Sequence, residues 1–225
     1  MSTLAPARPV LTDLGPLAQL RAGHLGRRLP QLYLGLALYG VSLAMMVRAD
    51  LGLAPWDVLH SGIAGLIPLS IGQVIVVLSF VVLLLWIPLR EVPGLGTISN
   101  AVVIGFALDA TLAVLDAPGA MWVRAALLVG GVLLNGLATA LYIGSQFGRG
   151  PRDGLMTGLH RRTGKSLRLV RTGLEVTVVL LGLLLGGVAG VGTVLYALAI
   201  GPLTQALLPL CTVPLTRQFL LPEEG

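Results

Sequence analysis

Gly52-Leu-Ala-Pro55-Trp-Asp57-Val-Leu59-His60-Ser-Gly62 recurs further along the chain as Gly148-Arg149-Gly-Pro151-Arg152-Asp153-Gly-Leu155-Met-Thr-Gly158. The shared skeleton is G-x-x-P-x-D-x-L-x-x-G, and each copy follows a long apolar segment. Proline suits the first turn of a helix, where its missing N–H would have no partner anyway. An acid two places later sits where the helix dipole favours negative charge. Each copy therefore predicts a chain break that restarts as a short helix. Gly52, Pro55 and Gly62, with Gly148, Pro151 and Gly158, are its structural positions.

The repeat extends beyond the motif. A constant shift of 96 positions, with no gap, aligns Arg28 with Arg124, Gly35 with Gly131, Gly40 with Gly136 and Ala44 with Ala140. It also aligns Ser70 with Ser166, Gly94, Gly96 and Thr97 with Gly190, Gly192 and Thr193, and Ala101, Ile104 and Gly105 with Ala197, Ile200 and Gly201. Apolar stretches match by chance; Pro, Asp, Thr and glycines at one offset do not. The chain is a tandem duplication.

Hydrophobic residues fill 55% of the 225 positions, charged residues 11%, and mean hydropathy is +0.90. A soluble domain carries roughly a quarter charged residues. Several apolar runs reach the ~17–25 residues that cross a bilayer as a helix, and the strand alternation of a membrane barrel is absent. The expected fold is an all-α polytopic membrane protein with spans at about 30–48, 70–88, 96–115, 125–146, 170–188 and 192–213. The expected parts are an N-terminal tail or interfacial helix (1–28), repeat 1 (29–116), a connecting loop (117–123), repeat 2 (124–213) and a C-terminal tail (214–225). Thr12 and Asp13 suit the start of such an interfacial helix, with Leu14, Leu17 and Leu25 on its apolar side.

Three spans per repeat make the second half inverted relative to the first. Charge placement agrees. With the N-terminus in the cytoplasm, 13 of the 15 Arg and Lys residues fall inside and only Arg48 and Arg124 outside. Were the motif segments to cross as well, the split would be 11 to 4. The six-span arrangement is therefore expected, with both termini in the cytoplasm and the net charge of +5 reflecting orientation in the bacterial cytoplasmic membrane. Trp86 and Trp122 stand at span ends, as headgroup-layer aromatics do.

These residues resemble a known family. The two motif copies, with Arg90-Glu-Val-Pro-Gly-Leu-Gly-Thr97 and Gly190-Val-Gly-Thr193, are similar to the YczE group of bacterial integral membrane proteins, akin to the YitT group. The resemblance runs from about residue 30 to 212. It implies a bacterial cytoplasmic-membrane protein and assigns no residue a role.

Asp57 and Asp153 are the sharpest candidates for a binding site. Broken segments entering from opposite faces bring helix N-termini towards the midplane, as in transporters with inverted repeats; the plainer reading is that each Asp stabilises its own helix. Arg149 and Arg152 give the second copy a basic mouth suited to an anionic solute or lipid headgroups. His60 joins the first copy, and Asp109 is the carboxylate deepest within an expected span. Glu175 lies one turn after Arg171, where a plain ion pair is expected. Gly40-xxx-Ala44 and Gly136-xxx-Ala140-xxx-Gly144 are expected helix-contact faces.

His24, His60 and His160 lack metal-ligand spacing, so no metal is expected. There is no complete phosphate loop, since Leu159 stands where the first glycine before Gly164-Lys165-Ser166 should be. No cofactor, nucleic-acid partner or enzymatic activity is expected. The expected partners are the bilayer and a small molecule or ion, and a homo-oligomer stays open. The leading expectation is a small-solute permease or channel with its site between the repeats. A membrane scaffold or regulatory protein is one alternative, and a substrate-binding subunit of a larger transporter is another.

Overall fold

The computed structural model describes residues 14–216. Thr12 and Asp13 lie outside them, as does the tail after 216. The described residues form nine α-helices and no strand: α1 (Pro16–Arg21), α2 (Leu25–Ala49), α3 (Pro55–Ala64), α4 (Ile71–Leu89), α5 (Leu95–Leu112), α6 (Met121–Gly144), α7 (Pro151–Thr163), α8 (Leu167–Leu184) and α9 (Val191–Cys211). The starts of α2 to α5 lie 96 positions before those of α6 to α9, one for one.

Local chemistry sets these boundaries in pairs. Pro55 and Pro151 each occupy the first helical position. Ser70 and Ser166 cap α4 and α8 by accepting the amides of Gln73 and Leu169 at 3.1 and 3.3 Å. Gly94 and Gly190 donate their amides to the Thr97 and Thr193 hydroxyls at 3.0 and 3.1 Å. A residue with positive φ follows both α2 and α6, Asp50 (49°) directly after the first and Gln146 (58°) two residues beyond the end of the second.

The halves join along α2 and α6. A Cβ on Gly35 would stand 2.8 Å from the Tyr142 amide nitrogen, and one on Gly131 would stand 3.0 Å from both Met46 Cγ and the Ser42 carbonyl. Early residues of each helix thus meet late residues of the other, so the pair is antiparallel. It also maps onto itself under the 96-residue shift, as a two-fold contact does. Glycine lets the backbones touch, which matters in lipid, where close packing rather than water exclusion holds helices together.

Two arginines lock this pairing. Arg28, fully buried, donates to the carbonyls of Ser145 and Gln146 at 2.9 and 2.8 Å and to that of Gln19 at 2.8 Å. Its guanidinium lies 4.3 Å from the Phe147 ring centre. Arg124 does the same for α2, bonding the carbonyls of Ala49 and Asp50 at 2.8 and 2.6 Å. Each arginine satisfies the orphan carbonyls at the C-terminus of the opposite helix, where the dipole favours a cation.

Within each half, α2 packs on α5 and α6 on α9. Across the halves, α3 packs on α8 and α7 on α4. The faces carrying Gly40 and Gly136 meet Ala107 of α5 and Leu203 of α9, so they work inside each half; Gly35 and Gly131 serve the junction.

Five helices, α2, α4, α5, α6 and α9, are long and apolar enough to span a membrane. The sixth expected span coincides with α8, which at 18 residues has the length but carries Arg168, Arg171 and Glu175. One expectation is corrected at Trp86, which is 3% exposed rather than in the headgroup layer. Its Nε1 donates to the Pro151 carbonyl at 3.0 Å, and its ring fills the space beside Gly154. Trp122 is exposed.

Candidate functional site

The two motif helices meet N-terminus to N-terminus. Trp56 of α3 and Arg152 of α7 occupy equivalent positions of the duplication, and the Arg152 guanidinium lies 5.6 Å from the Trp56 ring centre. It also lies 5.9 Å from the Tyr39 ring centre and donates to the Tyr39 hydroxyl at 3.2 Å. The strand-like segments before both helices are pinned by matched bonds: Gly96 N–H to the Phe147 carbonyl and Gly192 N–H to the Leu51 carbonyl, both 2.8 Å. Gly52 and Gly148 precede the prolines at φ 114° and 103°, a conformation that favours glycine, with Gly52 against Gly190 and Gly148 against Gly94. Gly62 and Gly158 lie against Gly182 and Leu89, letting the motif helices approach α8 and α4.

Beside this junction is a cavity of about 240 Å³. Its floor is Ala54–Trp56 at the start of α3 and Gly150, Arg152 and Asp153 at the start of α7; its walls include Tyr39, Tyr142, Arg171, Glu175 and Tyr196, with Gly201, Thr204 and Gln205 of α9. The Tyr142 hydroxyl donates to Asp153 Oδ2 at 2.6 Å. Arg171 and Glu175 form the expected ion pair at 2.9 Å. Tyr196 extends a buried polar chain: its hydroxyl donates to Asn135 Oδ1 at 3.0 Å, Asn135 donates to Ser42 Oγ at 2.7 Å, and Ser42 donates to the Tyr39 carbonyl at 2.6 Å. Such a satisfied network inside lipid fixes one register for α2, α6 and α9.

A second, much smaller crevice of about 10 Å³, room for about one water, lies between α4 and α5. It is the counterpart of the cavity. Under the 96-residue shift Ile75, Leu78 and Ser79 correspond to Arg171, Leu174 and Glu175, and Asn100 and Ile104 to Tyr196 and Ile200. His60 corresponds to Met156, and Trp56 and Arg152 exchange places. The two spaces share a plan; one is open and the other shut.

Of the residues singled out by sequence, Asp153 and Arg152 line the cavity. Asp57 is 2% exposed, with Oδ1 2.8 Å from His60 Nδ1 and Oδ2 without a hydrogen-bond partner. His60 lines the crevice. Arg149 is set by its backbone, whose carbonyl accepts the Thr97 hydroxyl at 2.6 Å. Asp109 stands apart at the end of α5, accepting the Gly72 amide at 3.0 Å and the Ser70 hydroxyl at 2.5 Å.

The chain matches a family of unknown function, DUF6198, over residues 26–209. An uncharacterised protein of Haemophilus influenzae is 43% identical over 174 residues, covering 77% of this chain and 80% of the relative. The uncharacterised membrane protein YczE of Bacillus subtilis is 32% identical over 172 residues, covering 76% of this chain and 80% of that one. The chain belongs to this YczE-type membrane protein family. A further relative, YyaS of Bacillus subtilis, is 24% identical over 181 residues. No solved structure matches. The YczE-type match takes in both motif helices and every wall of the cavity.

Sequence reasoning missed Tyr39, Tyr142, Tyr196, Asn100 and Trp56 as site residues. The available signal was polar or aromatic side chains inside otherwise aliphatic spans, the residues that lipid-facing positions do not need.

Proposed function

We propose that the protein is a small-solute permease of the bacterial cytoplasmic membrane, built as two inverted repeats and binding its solute where α3 and α7 meet. The carrying observation is the pair of unequal spaces. Inverted-repeat transporters place their sites at the repeat interface, between broken helices, and work by letting the halves exchange roles. The antiparallel pairing of α2 with α6 and the crossing of α3 on α8 and α7 on α4 support that arrangement. The 13-to-2 charge split favours both termini in the cytoplasm, and in that orientation the cavity opens inward. Its walls are the first part of α8 and the later part of α9, the ends nearest that face.

The outer counterpart is shut by close packing. Gly72 and Gly105 bring α4 and α5 into backbone contact, and Asp109 ties their ends through Ser70 and Gly72. In the second half Gly201 has only Arg171 Nη1 near it, at 4.0 Å, and Gln205, the counterpart of Asp109, lines the open cavity. Asp109 thus acts as an outer latch and Gln205 as its inner equivalent. Solute crosses when α8 closes on α9 and α4 leaves α5. A rigid scaffold has no use for such a pair.

Cysteine labelling tests this. With Cys211 replaced by Ser, Leu78→Cys in the crevice is expected to react slowly with an impermeant thiol reagent added outside, and several-fold faster when Asp109→Ala removes the latch. Thr204→Cys is expected to react from the cytoplasmic side and to slow in the same Asp109→Ala background. Outside labelling of Leu78→Cys that ignores the latch would exclude alternating access.

A further inference from the structure

We infer that the cavity takes a small zwitterion of amino-acid type, a solute whose carboxylate and ammonium lie a few ångströms apart. This rests on the reading of the cavity as the solute site and names the chemistry that fits it. Four charged side chains line the space, and two of them, Arg171 and Glu175, are joined in their own ion pair. The remaining two are adjacent in sequence, opposite in sign and not paired with each other. Among the described residues no carboxylate lies within ion-pair distance of Arg152.

The Arg152 guanidinium spends one hydrogen bond on the Tyr39 hydroxyl and is held over the Trp56 and Tyr39 rings. Its remaining donors are neither bonded nor sealed from the cavity. That fixed, planar fork is suited to a carboxylate. The N-termini of α3 and α7, which also line the floor, reinforce the preference for negative charge there. Asp153 offers the complementary partner. Its Oδ2 is held by Tyr142, while its Oδ1 makes no hydrogen bond and is not sealed off. A simple anion would satisfy Arg152 but face Asp153; a simple cation would face Arg152 and two helix N-termini. Only a solute carrying both charges meets both without opposing either. The cavity volume, about 240 Å³, lies below the ~300–1,000 Å³ of sites for drug-sized ligands and suits a molecule of amino-acid dimensions.

The test is equilibrium binding to purified full-length protein in detergent micelles, by calorimetry. The probes are the twenty common amino acids, and, for any that binds, its deaminated acid and its decarboxylated amine. At least one amino acid is expected to bind, with both analogues weaker by about tenfold or more. Arg152→Gln is expected to abolish binding, Arg152→Lys to restore part of it, and Asp153→Asn to weaken the amino acid while leaving the acid analogue unchanged. Either analogue binding as tightly as its parent, or no amino acid binding at all, would overturn the inference. If the variants fail to fold, the analogue comparison on the unaltered protein still decides. Binding without uptake into vesicles would leave the zwitterion site standing and remove the permease reading; uptake of a solute that amino acids do not displace would do the reverse.

Discussion

The two halves follow one backbone plan and end differently at their fourth helix. α4 packs tightly on α5, whereas α8 stands away from α9 with a cavity between them. The side chains divided accordingly. Where the closed half has Ile75, Ser79 and Leu108, the open half has Arg171, Glu175 and Thr204. Where the closed half has Gly72, the open half has Arg168. One copy became the tight wall and the other the polar one, so any exchange of roles between them is a matter of equivalent motion rather than identical contacts.

The largest expected effect separates the two arginines that join the halves. Hydrogen bonds to charged groups contribute about 1.5–3 kcal/mol each, and Arg28 is fully buried among carbonyls while Arg124 is partly exposed. Arg28→Ala is expected to cost about 3 kcal/mol or more and Arg124→Ala clearly less, read as thermal midpoints in detergent. Equal losses would show that the junction is symmetric in energy as well as in form.

Next comes the packing contrast. A Cβ at Gly105 collides with the Gly72 carbonyl, whereas one at Gly201 meets only Arg171 at 4.0 Å. Gly105→Ala is expected to destabilise by about 1–3 kcal/mol, and Gly201→Ala to change stability by about 0.5 kcal/mol or less. Similar losses at both sites would mean that α8 closes on α9 in the resting protein.

The smallest contrast between the halves lies at the motif carboxylates. Asp153→Asn is expected to leave the unfolding midpoint within a few tenths to about 1 kcal/mol of the parent, since Asn still serves a helix start, while weakening amino-acid binding. Asp57→Asn disturbs a buried pair with His60 and is expected to lower stability more than Asp153→Asn does. The reverse order would place the working carboxylate in the first half.

Much of this was legible because it is local or repeated. The prolines announced α3 and α7, and the constant offset announced the duplicated plan. The Arg171–Glu175 pair followed from helix spacing. What stayed hidden depends on partners far along the chain. Arg28 reads as a topology charge until Ser145 and Gln146 are beside it, and Trp86 reads as an interface residue until Gly154 is. The cavity itself was illegible, since it arises from a difference between two halves whose sequence plan predicts sameness.

Trp86 carries one more consequence. Its ring occupies the hollow beside Gly154, whereas at the equivalent crossing, where Gly182 stands in the place of Trp86, the backbone of Val58 and Leu59 comes directly against the glycine. Two first halves brought together would set Trp86 against a helix that carries Val58 in the place of Gly154 at both crossings, and two second halves would have no indole at either. A pair of identical halves would therefore not reproduce the two crossings of this chain. Cut into its halves, the chain is expected to reassemble only when both fragments are present, each as the mate of the other.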